Sequence, residues 1–150
     1  QMSKLSEHFT FEEAIYSPTA IRAGLSNIPT EKEIKNMALI CEMILEPARK
    51  GIGNKPIQIK SFFRSDLVNR LVGGANGSQH SKGQAADLQC FDNKFLFDYI
   101  KDNLEFDQLI WEHGTSLQPA WVHVSYAENN NRKMVLIAMK AGNKTIYKAI

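Results

Sequence analysis

WVHVSY, residues 121–126, alternates apolar and polar side chains with a period of two, the spacing of a β-strand with one face in a core. On that reading Val122 and Val124 point inward, while Trp121, His123 and Ser125 share the opposite, more accessible face. A histidine is thereby presented outward from a rigid element. Working outward, QLIWE at 108–112 and KMVLIAMK at 133–140 read as further strands, separated by loops at 113–120 and 127–132, with an edge strand expected at 145–147. After Pro56, IQIKS alternates as a half-buried strand, and AADLQ at 85–89 enters another.

The first half of the chain carries helical signals instead. Thr10 with Glu13 and Thr30 with Glu33 form capping boxes, predicting helices over 10–16 and 31–49. In the longer one Ile34, Met37, Ala38, Cys41, Ile44, Leu45 and Ala48 recur at helical spacing, and Gly51 and Gly53 end it. Shorter helices are predicted at 65–72 and 93–103. The segment bracketed by Pro18 and Pro29 is expected to wrap the surface as turns. Helices followed by a mostly antiparallel sheet define an α+β fold. With 150 residues, no internal repeat and no shift of composition that would mark a linker, the chain is expected to be one domain over 1–150.

Composition narrows the function classes. Hydrophobic residues at 43% and charged residues at 23% fit a globular domain rather than a disordered one. A formal charge of +2, with no basic run interleaved with aromatics, argues against a nucleic-acid partner. No apolar run reaches the roughly 18 residues of a membrane span. Cys41 and Cys90 have no cysteine neighbour at metal-ligand spacing and read as buried thiols. Residues 1–20 lack the basic start and continuous apolar core of a secretory leader, and the chain begins with Gln1, so its first residues do not settle a compartment. A monomer is the expected state, because the long helix needs its apolar side for its own core.

GSQHSKGQAADLQ, residues 77–89, sets His80 and Asp87 among glycine, alanine and small polar side chains. Together with His123 they offer two imidazole nitrogens and a carboxylate oxygen, a common donor set for catalytic zinc with a water in the fourth position. The residue types alone leave another reading open. Asp87 equally suits the cap of a turn, and two separated histidines often occur without a metal.

The order of motifs adds to this. Ser78, His80, Gly83, Ala85 and Asp87 form S-x-H-x-x-G-x-A-x-D, which resembles the metal-binding motif of the zinc D-alanyl-D-alanine carboxypeptidase family, the M15 peptidases. The later W-x-H, Trp121 and His123, resembles the segment supplying that family's third ligand. SFFRS with Arg64, NRLVGG and LEPAR are similar to the branch that includes stand-alone cell-wall peptidases and phage-associated proteins, so the resemblance runs over roughly residues 8 to 126. It implies a small α+β fold shared with hedgehog-type domains, Zn2+ held by His80, Asp87 and His123, and Arg64 orienting the substrate or meeting its terminal carboxylate. A guanidinium fork suits that role; Arg64 read by itself is a surface or helix-start charge.

Amide hydrolysis also needs a group that moves protons between water and the leaving amine. Many relatives place a glutamate three residues before the last histidine ligand or a histidine two before it, where this chain has Ala120 and Trp121. Glu112 is the replacement, since Gln108, Ile110 and Glu112 share one strand face and a pairing of 108–112 with 121–125 would bring Glu112 near the metal. His113 should point to the other face, unless the chain turns back through Gly114, and stands in reserve. Trp121 is expected to wall the pocket and Trp111 to lie in the core. Ser78, Ser125 and Gln84 are weaker candidates for supporting the ligands, and Met134, Met139 and His8 read as structural.

The expected function is zinc-dependent hydrolysis of peptidoglycan stem peptides at bonds involving D-alanine, outside the cytoplasm or on a phage particle. Two alternatives accompany it: a non-catalytic metal-bearing domain of the same fold that binds cell-wall peptides or serves in particle assembly, and a structural α+β domain without metal.

Overall fold

The computed structural model describes residues 3–150. Its helices are α1 (Phe11–Ile15), α2 (Pro18–Ala23), α3 (Glu31–Ile40), α4 (Glu46–Gly51), α5 (Asp66–Leu71) and α6 (Asn93–Asn103). The strands are β1 (Gln58–Ser61), β2 (Ala85–Gln89), β3 (Gln108–Glu112), β4 (Trp121–Ser125), β5 (Met134–Ala141) and β6 (Lys144–Ala149). They form one six-stranded sheet in the order β1-β2-β4-β3-β5-β6. Every pairing is antiparallel except β3 with β5. The α+β class read from the sequence is the observed one.

Both capping boxes form: the Thr10 and Thr30 hydroxyls accept the N–H groups of Glu13 and Glu33, whose carboxylates reach back to the threonine N–H groups. The long helix is not uniform. Cys41–Leu45 widens into a π-helical turn in which the Glu46 N–H donates to the Cys41 carbonyl. Pro47 follows immediately and has no N–H to continue the α pattern, so the wider turn falls where one α-helical bond is lost in any case. The expected turns after Pro18 give way to α2, with Ser17 capping Ala20, Pro18 in the first turn and Gly24 in the left-handed conformation as its stop.

α3, the π turn, α4 and α6 cover one face of the sheet. Met37, Ile40, Ile44, Leu45, Leu96, Phe97 and Ile100 meet Leu88, Leu109, Val122 and Val124 in a single cluster, each at most 2% exposed. Burial of each such aliphatic or aromatic side chain contributes about 1.5–3 kcal/mol, and this layer fixes which sheet face stays open. Val122 and Val124 face inward as read, and Cys41 is buried there. Cys90 is only half-buried and both thiols are free. Trp111 packs edge-on against Phe97 at the margin of the core rather than inside it. Met139 is 46% exposed, so the outer end of β5 is a surface strand and not core.

Candidate metal centre and the cleft around it

His80 reaches the open sheet face on a 3-10 turn, Gln79–Lys82, where a plain loop was expected. The Ser78 hydroxyl accepts the His80 N–H at 3.2 Å and so fixes the start of the turn. Gly83 ends it at φ +71°, and a side chain there would run into the Glu33 carbonyl and Met37 of α3. Turn and helix are therefore in backbone contact, and only glycine permits it.

Asp87 lies in the middle of β2, directly opposite His123 on β4. Its two carboxylate oxygens face different rings, Oδ1 at 2.9 Å from His123 Nδ1 and Oδ2 at 3.4 Å from His80 Nε2. One donor atom from each of the three residues lies within 4.8 Å of the others. The rings stand edge to face with centroids 5.2 Å apart.

The donor chemistry fits a cation. His80 Nδ1 sits 2.8 Å from the Phe62 carbonyl, which only accepts, so Nδ1 carries a proton and Nε2 is the ring atom turned toward Asp87. Burial alone would raise the Asp87 pKa, but the neighbouring His80 and His123 rings outweigh it and hold the carboxyl well below the usual range. A carboxylate oxygen at 2.9 Å and 3.4 Å from two ring nitrogens needs a proton or a cation in each gap, and a metal ion can take that place. Nitrogen and oxygen donors in this number suit zinc, and the second-nitrogen bond to a backbone carbonyl is the usual way such a ring is oriented.

Glu112 ends β3 on the same sheet face, paired across the strands with Trp121 and Ala138. It is 7% exposed, and its side chain has no hydrogen bond from the described residues. Burial pushes its pKa up to about 7, against the His123 ring and with help from the Asp87 charge. His113 does not continue the strand onto the other face. Its φ is +56° and Gly114 follows at +74°, so the chain folds back. The His113 ring then lies 5.4 Å from the Trp121 ring and Nε2 is 3.7 Å from Glu112 Oε2. The strand alternation expected for His113 is overridden by the hairpin turn, where a Gly114 side chain would collide with the Gln118 carbonyl.

Arg64 follows β1 and donates its backbone N–H to the His80 carbonyl at 3.2 Å. Its Nε is buried without a hydrogen-bond partner among the described residues. Burial lowers its pKa while the Asp87 charge works the other way. A guanidinium held this way at a cleft wall is poised for an anionic group. Trp121 walls the cleft as expected, with Lys60 Nζ 4.7 Å above its ring. Ser125 shares the face of His123 but is fully buried, its hydroxyl accepting the Gln108 N–H at 3.0 Å. It was expected to be accessible; the backbone of β3 covers it. The Gln84 backbone, not its side chain, takes part, accepting from Tyr126 and donating to Gln79.

These residues line one cleft of about 670 Å³, bounded on its far sides by the 72–78 loop and by Gln108, Leu136 and Tyr147. Neither Tyr147 nor Gln108 stood out in the sequence as a site residue. Tyr147 lies on β6, whose place in the cleft follows from sheet order; burial, then the Glu112 and Asp87 charges, raise its phenol pKa. Asp107 is the buried anchor behind the site. Arg132 Nε and Nη2 each donate to it at 2.8 Å and Gln79 Nε2 at 3.1 Å, tying the turn that carries His80 to the start of β3.

Comparison with known proteins agrees with this geometry. A family model described as Peptidase M15 matches residues 7–125. A zinc D-Ala-D-Ala carboxypeptidase of Streptomyces albus G is 45% identical over 51 residues, which is 34% of this chain and 20% of that protein. The aligned stretch thus spans only a fifth of the relative's length. With the family match extending from α1 through β4 across all three candidate ligands, the chain belongs to the Peptidase M15 family of zinc metallopeptidases.

Proposed function

We propose that this chain hydrolyses a peptide bond of peptidoglycan stem peptides, at a bond involving D-alanine, as a monomer acting outside the cytoplasm or on a phage particle. The observation that carries the reading is the convergence of one potential ligand atom each from His80, Asp87 and His123 in an open cleft beside the buried carboxyl of Glu112. The name of the Streptomyces albus G relative supports zinc and the D-alanyl bond.

His80, Asp87 and His123 would hold the zinc ion. When bound it supplies Lewis acidity, polarising a carbonyl and acidifying water. The protein's own groups do the rest. Glu112, with a pKa near neutrality, takes a proton from the attacking water and returns one to the leaving amine. Arg64 pairs with a substrate carboxylate and so aligns the peptide. Trp121 and His113 wall the cleft beside Glu112 and restrict water there.

The test is hydrolysis of defined muropeptides by zinc-loaded protein. Glu112→Ala is expected to retain stoichiometric zinc and to lose at least about a hundredfold in kcat, the usual scale for a general base. Absence of zinc after reconstitution would sink the proposal. Ala120 and Trp121 at the positions where many relatives carry their proton-transfer group favour a second reading, a stem-peptide-binding domain without turnover. Peptide binding with no hydrolysis at full zinc loading would select it.

A further inference from the structure

We propose that Tyr147 on β6 is a specificity-determining residue that hydrogen-bonds the substrate peptide on the side of the cleft away from Arg64, an inference that rests on the peptidase reading above. The Peptidase M15 match ends at residue 125, so β5 and β6 lie beyond it, yet they complete the cleft.

The placement follows from the sheet. Trp121 pairs with Glu112, Glu112 with Ala138 and Ala138 with Tyr147, so these four residues form one row across β4, β3, β5 and β6. Residues directly opposite one another project from the same face. Ala138, fully buried, is the one small member of the row between Glu112 and Tyr147. A methyl there leaves room for the ring of an edge-strand tyrosine to line the same cleft as Arg64, His80 and Glu112. Tyr147 is 55% exposed, and its hydroxyl has no hydrogen bond to the described residues, so the O–H is available to a ligand.

Strand order also gives the cleft a direction. From Arg64 after β1 the functional side chains run Asp87 on β2, His123 on β4, Glu112 on β3 and Tyr147 on β6. With strands about 4.8 Å apart, β3 to β6 spans about 10 Å, roughly the length of three extended residues. A peptide whose carboxylate is held by Arg64 therefore has its amino-side residues over β5 and β6, where Tyr147 meets them. A substrate cut short on that side would not reach it.

The experiment compares zinc-loaded wild type, Tyr147→Phe and Tyr147→Ala on two substrates: a stem pentapeptide ending in D-Ala-D-Ala, and N-acetyl-D-Ala-D-Ala. For both variants the ratio of kcat/KM for the pentapeptide to that for the short substrate is expected to fall about three- to tenfold, the worth of one neutral hydrogen bond, mainly through KM. Zinc content is expected to match wild type. An unchanged ratio, whether from no loss or from equal loss on both substrates, would overturn the inference. If the wild type cleaves neither substrate, the peptidase reading fails, and calorimetric binding of the pentapeptide to the same three proteins decides the role of Tyr147. A Kd weakened by the same factor in Tyr147→Phe supports it; equal affinity, or no binding by any of the three, overturns it.

Discussion

At the scale of single residues, the site is built from groups whose partners leave one atom free. His80 donates from Nδ1 to the Phe62 carbonyl and turns Nε2 to the cleft; Glu112 is buried with no donor on its carboxyl among the described residues. The second case has a thermodynamic consequence. In the unfolded chain this glutamate titrates near 4.5 and in the folded metal-free protein near 7. The proton is therefore held more tightly after folding, and the associated stability is complete below pH 4.5 and lost as pH rises through 7. In chelator-treated protein Glu112→Gln is expected to be more stable than wild type at pH 8, by roughly 3 kcal/mol, with the difference vanishing near pH 4. Urea titrations at the two pH values measure it, and a variant no more stable at pH 8 would mean the carboxyl ionises without cost. His80, Asp87 and Glu112 were recognisable as candidates from residue type and motif order. The orientation of the His80 ring was not, because its orienting carbonyl lies 18 residues away in Phe62.

Among elements, the two turns decide more than the strands they join. Gly83 lets the 3-10 turn press on α3, and Gly114 lets the β3–β4 hairpin fold His113 back toward Trp121. Gly83→Ala combines a left-handed backbone with a collision against the Glu33 carbonyl, so it is expected to cost about 1–3 kcal/mol and to weaken zinc binding together with stability. Chelator competition and thermal melts would show both changes; a stable variant with unaltered zinc affinity would mean the turn does not position His80. A second element-level prediction concerns Asp107, whose pKa the Arg132 hydrogen bonds hold at about 2. Its contribution is present above the ordinary value of 3.8 and fades as pH falls toward 2. Asp107→Asn is expected to be destabilised at pH 7 and to converge on wild type below pH 2, as read by unfolding midpoints. Capping boxes made helix starts legible at Thr10 and Thr30. α2 lies in a segment whose pattern reads as turns although Ser17, Pro18 and Gly24 mark its ends, because its six residues are too few for a periodic apolar face. The strand rule failed for His113 because a hairpin turn, not a strand, sets its direction.

For the whole molecule, the three proposed ligands, from a turn and two strands, would make zinc a cross-link between parts of the chain that separate on unfolding. Zinc at about a thousand times its Kd should stabilise the fold by about 4 kcal/mol, or roughly 8–15 °C in Tm for a chain of this size. His123→Ala should erase that shift, and an equal Tm with and without zinc in the wild type would mean the three residues do not bind it together. By itself the sequence determined the α+β class, the helix caps and the inward valines of β4, because these follow from patterns within a few residues, and it pointed to the candidate ligands through the resemblance of its motif order. Only the tertiary structure decided that β5 joins β3 in parallel, that β6 brings Tyr147 to the cleft, and that Arg64 lies beside His80 with its Nε unpaired among the described residues. Those outcomes depend on strand order and on backbone contacts between distant segments. A local pattern specifies which face of a strand is apolar, but not which strand becomes its neighbour.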